Sequence, residues 1–298
     1  MEATAVFDFE AIGTKWRIEI YDEKFAGDKA TIEKNLLDKI LQRIAVFDKN
    51  YSRFRDDSLV SEMAKKAGTY ALPADAEPLF SLYQNFYKLS GGIFTPLVGQ
   101  LLVDAGYDAE YSLQPKHIQK VPSWDEVLDY HFTTLNLKKP ALLDFGAAGK
   151  GYLIDIIGAL LKANNINSFC IDAGGDILYK TPTDQNLQIG LEHPGNTKQV
   201  IGIANIKNQS ICGSASNRRS WGKFHHIMDP KTLESTNKIL ATWVIAETAM
   251  LADAIATCLF FVPSKKIAQE YNFEYLLVFP DYTIEKSTDF PAELFIKN

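Results

Sequence analysis

Two histidines in a stiff turn are the first residues whose type and spacing could do chemistry. They open the run from His225 to Pro230, which reads His-His-Ile-Met-Asp-Pro. A proline biases the residue before it toward extended backbone, so this run is a turn with fixed side-chain directions rather than a helix surface. An imidazole titrates near neutral pH and can take a proton from an attacking hydroxyl. Consecutive side chains of extended backbone point opposite ways, so His225 and His226 should have different roles.

A carboxylate and a hydroxyl four residues apart form the second candidate group. Asp253 and Thr257 lie in an alanine-rich, helix-favouring run, so both side chains project from one face of one helix. Two hard oxygen ligands so placed suit a magnesium ion that also takes substrate phosphates and water. Taken alone, the pair is more readily explained as residues that cap a helix start.

A glycine-rich turn is the third candidate group. The run from Gly146 to Gly151 reads Gly-Ala-Ala-Gly-Lys-Gly and follows Ala141 to Phe145, which we predict to be a short buried strand. Small residues let a ligand approach the backbone, and a helix start offers N–H groups to phosphate. A tight strand-to-helix turn without a ligand explains the spacing equally well. The residue order is neither that of an NTPase P-loop nor that of a dinucleotide-binding fold.

Together with the run from Asp172 to Asp176, Asp-Ala-Gly-Gly-Asp, these three stretches resemble, in the same order, the motifs of ApbE-type FAD:protein FMN transferases. The resemblance runs from about Gly13 to about Val262. It implies magnesium-dependent transfer of the FMN moiety of FAD to a threonine hydroxyl of a target flavoprotein, with release of AMP. Two alternatives stay open. One is a magnesium-dependent pyrophosphatase that hydrolyses FAD to FMN and AMP, and the other is an FAD-binding protein without turnover.

The resemblance also implies roles for individual residues. His226 would be the general base, and His225 a structural neighbour. Magnesium would be held by the carbonyl of Gly149 and by the side chains of Asp253 and Thr257. The residues expected to contact FAD are Ile12, Phe54, Ile93, Phe94, Thr95, Gly146, Lys150, Tyr152 and Met228.

Three departures from the family pattern stand out. Where the family commonly has an aspartate before the proline of the Ile-Phe-Thr-Pro run, this chain has Thr95. After the Asp-Pro pair the family usually continues to Thr-Gly, but here Thr232 is followed by Leu233. A Thr-Ser-Gly element of the family is matched well only at Ser214, so its role stays open.

The elements that must position these residues follow from hydrophobic periodicity. Alternation predicts a hairpin over 5–9 and 16–20, further strands over 168–173, 187–191, 200–204 and 242–246, and a last hairpin over 274–279 and 283–286. A period of 3.6 predicts helices over 28–47, 77–89 and 151–164. No linker or repeat divides the chain, so we expect one α+β domain over residues 1–298. Its sheets should be largely antiparallel, T-fold-like by resemblance, with the nucleotide in a cleft between two interlocked lobes.

Composition excludes several classes of protein. The chain has 298 residues, of which 46% are hydrophobic, and a net charge of -6 without any block of like charge. It can therefore bury a substantial core, and no surface for nucleic acid is indicated. Three cysteines lie far apart in the sequence, which predicts buried thiols rather than disulfides or a metal site. His117, His131 and His193 lack partners in the pattern and are expected to be structural or solvated.

The start of the sequence lacks the basic and apolar regions of a signal peptide, and no apolar run reaches membrane-spanning length. We therefore expect a cytoplasmic protein without stable membrane insertion. Many members of the resembled family are exported or lipid-anchored, so a periplasmic or membrane-anchored location applies if a leader preceded residue 1.

Overall fold

The computed structural model describes residues 2–22 and 29–295. Its helices are α1 (Lys29–Tyr51), α2 (Leu59–Lys65), α3 (Ala76–Leu89), α4 (Gly99–Asp104), α5 (Trp124–Val127), α6 (Gly149–Ala163), α7 (Ala249–Cys258) and α8 (Ser264–Ile267). The predicted helices over 77–89 and 151–164 are confirmed within one or two residues. The helix predicted from residue 28 is confirmed from Lys29 onward, and residue 28 lies outside the described residues.

The strands are short and mostly sequential neighbours. They are β1 (Ala5–Ala11), β2 (Thr14–Ile20), β3 (Gly68–Ala71), β4 (Leu128–His131), β5 (Thr134–Leu137), β6 (Phe169–Ala173), β7 (Asp176–Lys180), β8 (Leu187–His193), β9 (Asn196–Ile206), β10 (Ser210–Ala215), β11 (Ser220–Trp221), β12 (Phe224–His225), β13 (Met228–Asp229), β14 (Glu234–Ser235), β15 (Ala241–Ala246), β16 (Glu274–Val278), β17 (Ile284–Lys286) and β18 (Ala292–Leu294). Both predicted hairpins are present, as β1 with β2 and β16 with β17.

An open sheet of eight strands forms the centre of the molecule. Its order is β1-β2-β6-β7-β10-β15-β16-β17, and every neighbouring pair is antiparallel. The sheet does not close into a barrel, since β1 and β17 are its edges. The pairing of β7 with β10 covers only two residue pairs, Ile177 with Ile211 and Leu178 with Ser210. Beyond that point the two strands separate, which opens the sheet near Asp176.

Both faces of the central sheet are covered, because side chains of a strand alternate between them. Ile18, Ile171 and Val244 pack on one face against α1, α3, α6 and α7. Ile177 and Ile211 pack on the other face against a three-stranded sheet of β18, β9 and β8. The fold is therefore a layer of helices, a large antiparallel sheet and a small antiparallel sheet, as the α+β expectation requires.

One predicted strand is wrong. Ala141 to Phe145 joins no sheet. The Ala141 N–H donates to the Met63 carbonyl at 3.1 Å, and the Asp144 N–H donates to the Pro96 carbonyl at 2.7 Å. Both partners lie at helix ends, so the segment is extended and buried without a neighbouring strand. Hydrophobic periodicity reports burial, and it does not report where the backbone hydrogen bonds go.

Within the described ranges 2–22 and 29–295, no helix is both long enough and apolar enough to cross a membrane.

Candidate active site

A cavity of about 850 Å³ lies where the central sheet opens. Its walls come from the ends of β7, β10 and β15, from the start of α6, from the middle and end of α7, and from segments that contribute residues 54, 93–95, 144–147, 217–219 and 226–228. Of the residues assigned to the site from the sequence, those that line this cavity are Phe54, Ile93, Phe94, Thr95, Gly146, Lys150, His226, Met228, Asp253 and Thr257. Five stretches of sequence thus meet at one place.

Helix α7 brings Asp253, from its middle, and Thr257, from its last turn, to the cavity. Thr248 is the N-cap of this helix, and its side chain accepts from the Leu251 N–H. Asp253 and Thr257 are therefore not its capping residues. Asp253 is only 5% exposed, and burial raises the pKa of its carboxyl. The Thr257 hydroxyl lies 3.4 Å from the hydroxyl of Ser214 on β10.

The start of α6 packs tightly against α7. The Gly151 N–H donates to Asp253 Oδ2 at 2.9 Å, so the carboxylate occupies the positive end of the α6 dipole. A Cβ atom on Gly151 would lie 2.8 Å from the Cβ of Asp253 and would collide with the Ala249 carbonyl. Asp155, one turn further along α6, accepts from the N–H groups of Ala249 and Met250 at 2.9 and 2.8 Å. These contacts fix where Asp253 points.

Lys150 is also held by a partner from a distant part of the chain. Its ammonium group forms an ion pair with the carboxylate of Asp176, whose residue is 1% exposed. Asp176 Oδ1 accepts in addition from the Gly213 N–H at 3.1 Å. Asp176 thus joins β7, β10 and α6 at the point where the sheet opens.

The two adjacent histidines have different surroundings. His225 Nδ1 accepts from the Ile227 N–H at 3.2 Å, so the Nε2–H, 2.6 Å from the Thr236 carbonyl, is the donor. Both nitrogens of His225 are thereby used in holding the turn. His226 lines the cavity, and its Nδ1 has no hydrogen-bond partner among the described residues. Burial, with smaller contributions from Arg219 and His225, lowers the pKa of His226 to about 3, so the imidazole is neutral at physiological pH.

Aromatic rings form one wall of the cavity. Phe54 is 37% exposed and lies 5.5 Å from the ring of Tyr107, measured between centroids. The Arg53 guanidinium lies over the Phe54 ring at 4.1 Å and is paired with the buried carboxylate of Asp144. Arg53 also donates to the Tyr107 carbonyl at 2.8 Å. Phe54 also stacks on Tyr111, with ring centroids 5.7 Å apart, so the wall presents an aromatic cluster to a ligand.

Thr95 replaces the family's aspartate without losing a structural role. Its hydroxyl accepts from the Leu97 N–H at 3.2 Å and caps a 3-10 turn over Pro96–Val98. Threonine and aspartate are both good N-cap residues, so either can shape this turn.

Three residues assigned from the sequence do not line the cavity. Ile12 lies in the β1–β2 turn, whose next residues, Gly13 and Thr14, reach the cavity instead. The Tyr152 hydroxyl donates to the Asp75 carbonyl at 2.6 Å, within the helical layer. Gly149 is the buried first residue of α6, whereas Ala147, two residues earlier, is at the cavity wall.

Sequence reasoning missed several residues of the cavity. Asp144 and Asp176 stand inside the motifs that carry the resemblance. The sequence shows where they are in the chain, but it does not show which cations they pair with. Arg219 and Trp243 line the cavity without any sequence pattern that marks them. The remaining histidines are elsewhere: His117 is exposed, His131 pairs with Asp129 at 3.1 Å, and His193 accepts from the Gly195 N–H. All three cysteines are buried and free, as expected.

A sequence model described as the ApbE family matches residues 12–276. The chain belongs to the ApbE family. Its curated relatives include the FAD:protein FMN transferase of Treponema pallidum (strain Nichols), which is 25% identical over 93% of this chain and 84% of its own length. Another is the FAD:protein FMN transferase of Chlamydia trachomatis serovar D, 24% identical over 85% of this chain and 83% of its own.

Solved ApbE structures share the fold. The ApbE protein of Thermotoga maritima superposes with a TM-score of 0.80 at 22% identity, over 97% of this chain and 99% of that one. The flavin transferase ApbE of Vibrio cholerae gives a TM-score of 0.79 at 19% identity, over 96% and 97%. The expectation of an ApbE-like α+β fold is therefore confirmed.

Leu233, which stands where ApbE proteins usually have glycine, adopts a backbone conformation that favours glycine. Leu233 has a φ of 63°, the left-handed conformation that favours glycine. Its N–H donates to the Asp229 carbonyl at 2.8 Å, which closes the turn between β13 and β14. The backbone conformation that suits a glycine is thus kept with a leucine in place, at a cost in strain.

Proposed function

We propose that this ApbE protein is an FAD:protein FMN transferase that moves FMN from FAD to a threonine hydroxyl of an acceptor flavoprotein and releases AMP. The observation that carries the proposal is one cavity that joins a histidine with an unpaired nitrogen to a helix-borne carboxylate and hydroxyl. The transfer of flavin is supported by the curated relatives, which are named FAD:protein FMN transferases. The threonine and the metal are parts of the proposal.

His226 would act as the general base. The acceptor oxygen attacks the phosphorus of the FMN phosphate, and its proton passes to the His226 imidazole. The new bond joins the acceptor oxygen to phosphorus, and the bond from that phosphorus to the bridging oxygen breaks. The electron pair of the broken bond leaves with AMP. A neutral imidazole with a free lone pair suits the proton transfer.

Asp253 and Thr257 fit a magnesium ion that is completed by the substrate. Only one oxygen of the Asp253 carboxylate, Oδ2, forms a hydrogen bond within the described residues, so Oδ1 is available. No cluster of three or more His, Cys, Asp or Glu residues in the described ranges could hold a metal alone. One carboxylate with neutral oxygens binds magnesium weakly until phosphate oxygens join it. When bound, the ion would neutralise charge on the phosphoryl oxygens.

The third protein ligand would be a main-chain oxygen. Our sequence reasoning assigned it to Gly149. We now assign it to Ala147, because Ala147 lines the cavity and Gly149 is buried inside the first turn of α6. Lys150 would contact a phosphate from the same turn, with Asp176 holding its ammonium group close to the position it needs.

The planar wall at Phe54 would take the flavin ring, which is a large aromatic system that stacks on aromatic side chains. Ile93, Phe94, Gly146 and Met228 would line the remainder of the nucleotide site.

The test is incubation with FAD and magnesium, with and without a flavoprotein segment that carries the acceptor threonine. We expect AMP in solution and flavin fluorescence on the acceptor after a denaturing gel. AMP and FMN without labelled acceptor would instead show an FAD pyrophosphatase, and bound FAD without AMP would show a binding protein. The matched variant is Asp253→Asn, which keeps size and removes charge. Its turnover at limiting magnesium should fall by orders of magnitude, and an unchanged rate would overturn the metal assignment.

A further inference from the structure

Arg219 is a cavity residue to which none of the preceding roles applies. It lies in the turn between β10 and β11 and lines the cavity beside His226. Its φ is 59°, a left-handed conformation that costs a residue with a side chain roughly 1–2 kcal/mol. Strained residues of this kind persist where the surrounding structure determines them, and they concentrate at functional sites.

The Arg219 guanidinium differs from the other cations of the cavity in its pairing. Lys150 is paired with Asp176, Arg17 lies 3.2 Å from Glu19, and Arg218 lies 2.8 Å from Glu192. Arg219 has no carboxylate within ion-pair distance among the residues that the structure describes. Of the lysines and arginines that line this cavity in the described ranges, it is therefore the one whose charge is not already matched.

Arg219 shares the cavity with the groups of the proposed site. Tyr107 of the aromatic wall, the proposed base His226 and the proposed metal ligand Asp253 line the same cavity as Arg219. Burial and, after it, the charge of Arg219 lower the pKa of His226, so the guanidinium favours the neutral imidazole.

We propose that the Arg219 guanidinium binds non-bridging oxygens of the FAD phosphate that His226 and the acceptor hydroxyl face. This inference rests on the proposed function and adds a phosphate-binding residue to it. As the acceptor oxygen bonds to phosphorus and the bond to the AMP oxygen breaks, negative charge grows on these oxygens. A guanidinium offers two parallel N–H donors that match them.

The test compares two adjacent arginines. Arg219→Gln removes the charge, shortens the side chain and leaves the main chain of the strained turn in place. Arg218→Gln is the matched control, because its guanidinium is paired with Glu192. We expect Arg219→Gln to lower the rate of AMP release by at least about 100-fold, the size expected for loss of a transition-state charge contact. Arg218→Gln should change it by less than about threefold. Added guanidinium ion should restore part of the rate to Arg219→Gln alone.

A second readout does not depend on turnover. FAD carries the pyrophosphate and riboflavin does not, so the ratio of their affinities reports phosphate binding. Arg219→Gln should reduce this ratio by about tenfold, the loss of one charge-assisted contact, and Arg218→Gln should leave it unchanged. An unchanged ratio together with an unchanged rate in Arg219→Gln overturns the inference and leaves the proposed function standing. If the wild type releases no AMP, the proposed function fails, and the affinity ratio alone then decides whether Arg219 binds phosphate.

Discussion

The two sides of the cavity are built in different ways. On the side of Asp253, two helices touch without any intervening side chain at Gly151, and Asp155 ties the start of α7 to α6. On the side of His226, the chain from residue 216 to 236 forms two-residue strands and turns, with left-handed backbone at Arg219, Gly222 and Leu233. One side is a pair of packed helices, and the other is a run of short strands and turns whose buried side chains Trp221, Phe224 and Met228 pack on the cluster around Leu101.

This difference separates two tasks. A metal and a phosphate need ligands at constant positions, and packed helices hold side chains more precisely than loops do. The proposed base must meet a hydroxyl of another polypeptide, and it lies in an irregular segment of short strands and turns. Substitutions that force α6 and α7 apart should therefore act through stability, whereas those of His226 and Arg219 should act mainly on the reaction.

The largest effect is expected for the two histidines. His226→Ala should lower flavin transfer by about 10²- to 10⁴-fold, the usual contribution of a general base, with FAD affinity nearly unchanged. His225→Ala removes the bond to Thr236 and should lower the free energy of unfolding by about 1–2 kcal/mol with activity retained. Single-turnover rates and urea unfolding of both variants make the comparison. An inactive His225→Ala beside an active His226→Ala would show that the base was assigned one residue out of register.

Two glycines in the first turn of α6 test the helix side. Gly151→Ala places a Cβ against Ala249 and Asp253, so α6 and α7 must separate, and we expect a loss of about 3 kcal/mol in the free energy of unfolding. Gly149→Ala places a Cβ 3.4 Å from the Phe145 Cβ and 3.9 Å from the Phe47 ring, which are tolerable contacts, and should be neutral or stabilising by up to about 1 kcal/mol. Denaturant titration of the two variants and the wild type measures these changes in the free energy of unfolding. Equal stabilities would mean that the close contact between the helices does not matter.

The buried base should make stability depend on pH. The pKa of His226 falls from 6.5 in the unfolded chain to about 3 in the folded protein, so the unfolded chain binds more protons between these values. Stability is therefore complete above pH 6.5 and is lost as the pH falls, by up to about 1.4 kcal/mol per pH unit. Arg219, His225 and Asp144 face the same ring, so the effect is read as the difference between wild type and His226→Gln. We expect this difference to shrink by about 1–2 kcal/mol between pH 7 and pH 5. Parallel pH profiles would mean that His226 is accessible to protons in the folded state.

The smallest effect is expected at Leu233. Leu233→Gly relieves the left-handed strain, worth about 1 kcal/mol, and loses packing of a partly buried side chain worth a similar amount. The free energy of unfolding should change by less than about 1 kcal/mol, as thermal unfolding would show. A larger loss would mean that the leucine is held for its packing against the cluster around Met228 and Phe224.

Regular periodicity made most of the fold predictable from the sequence. The β1–β2 hairpin, α3, α6 and the last hairpin follow from patterns over many residues, and each lies where it was expected. The strand predicted at Ala141 to Phe145 was wrong, because a buried extended run without a neighbouring strand has the same pattern as a strand. The β3–β5–β4 sheet was not predicted, since its strands are four residues long and β3 lies far from the β4–β5 hairpin in the sequence.

The candidate site was predictable only as far as motifs reach. His226, Lys150, Asp253 and Thr257 stand in recognisable runs, and the structure brings them to one cavity. Asp176 could not be identified from the sequence as the partner of Lys150, because only the fold brings the start of β7 next to the start of α6. Arg219 had no pattern at all, because its position depends on a single strained turn.

The hydrogen bonds between Asp155 and the start of α7 determine which part of the cavity unfolds locally first. The Ala249 and Met250 amides donate to a carboxylate inside the helical layer, so solvent reaches them only when the two helices part. Local fluctuations that expose the loop from residue 216 to 236 leave those amides protected from hydrogen exchange. The half of the cavity that carries Asp253 is thus already assembled in the free protein, so its residues add little to the ordering cost of ligand binding.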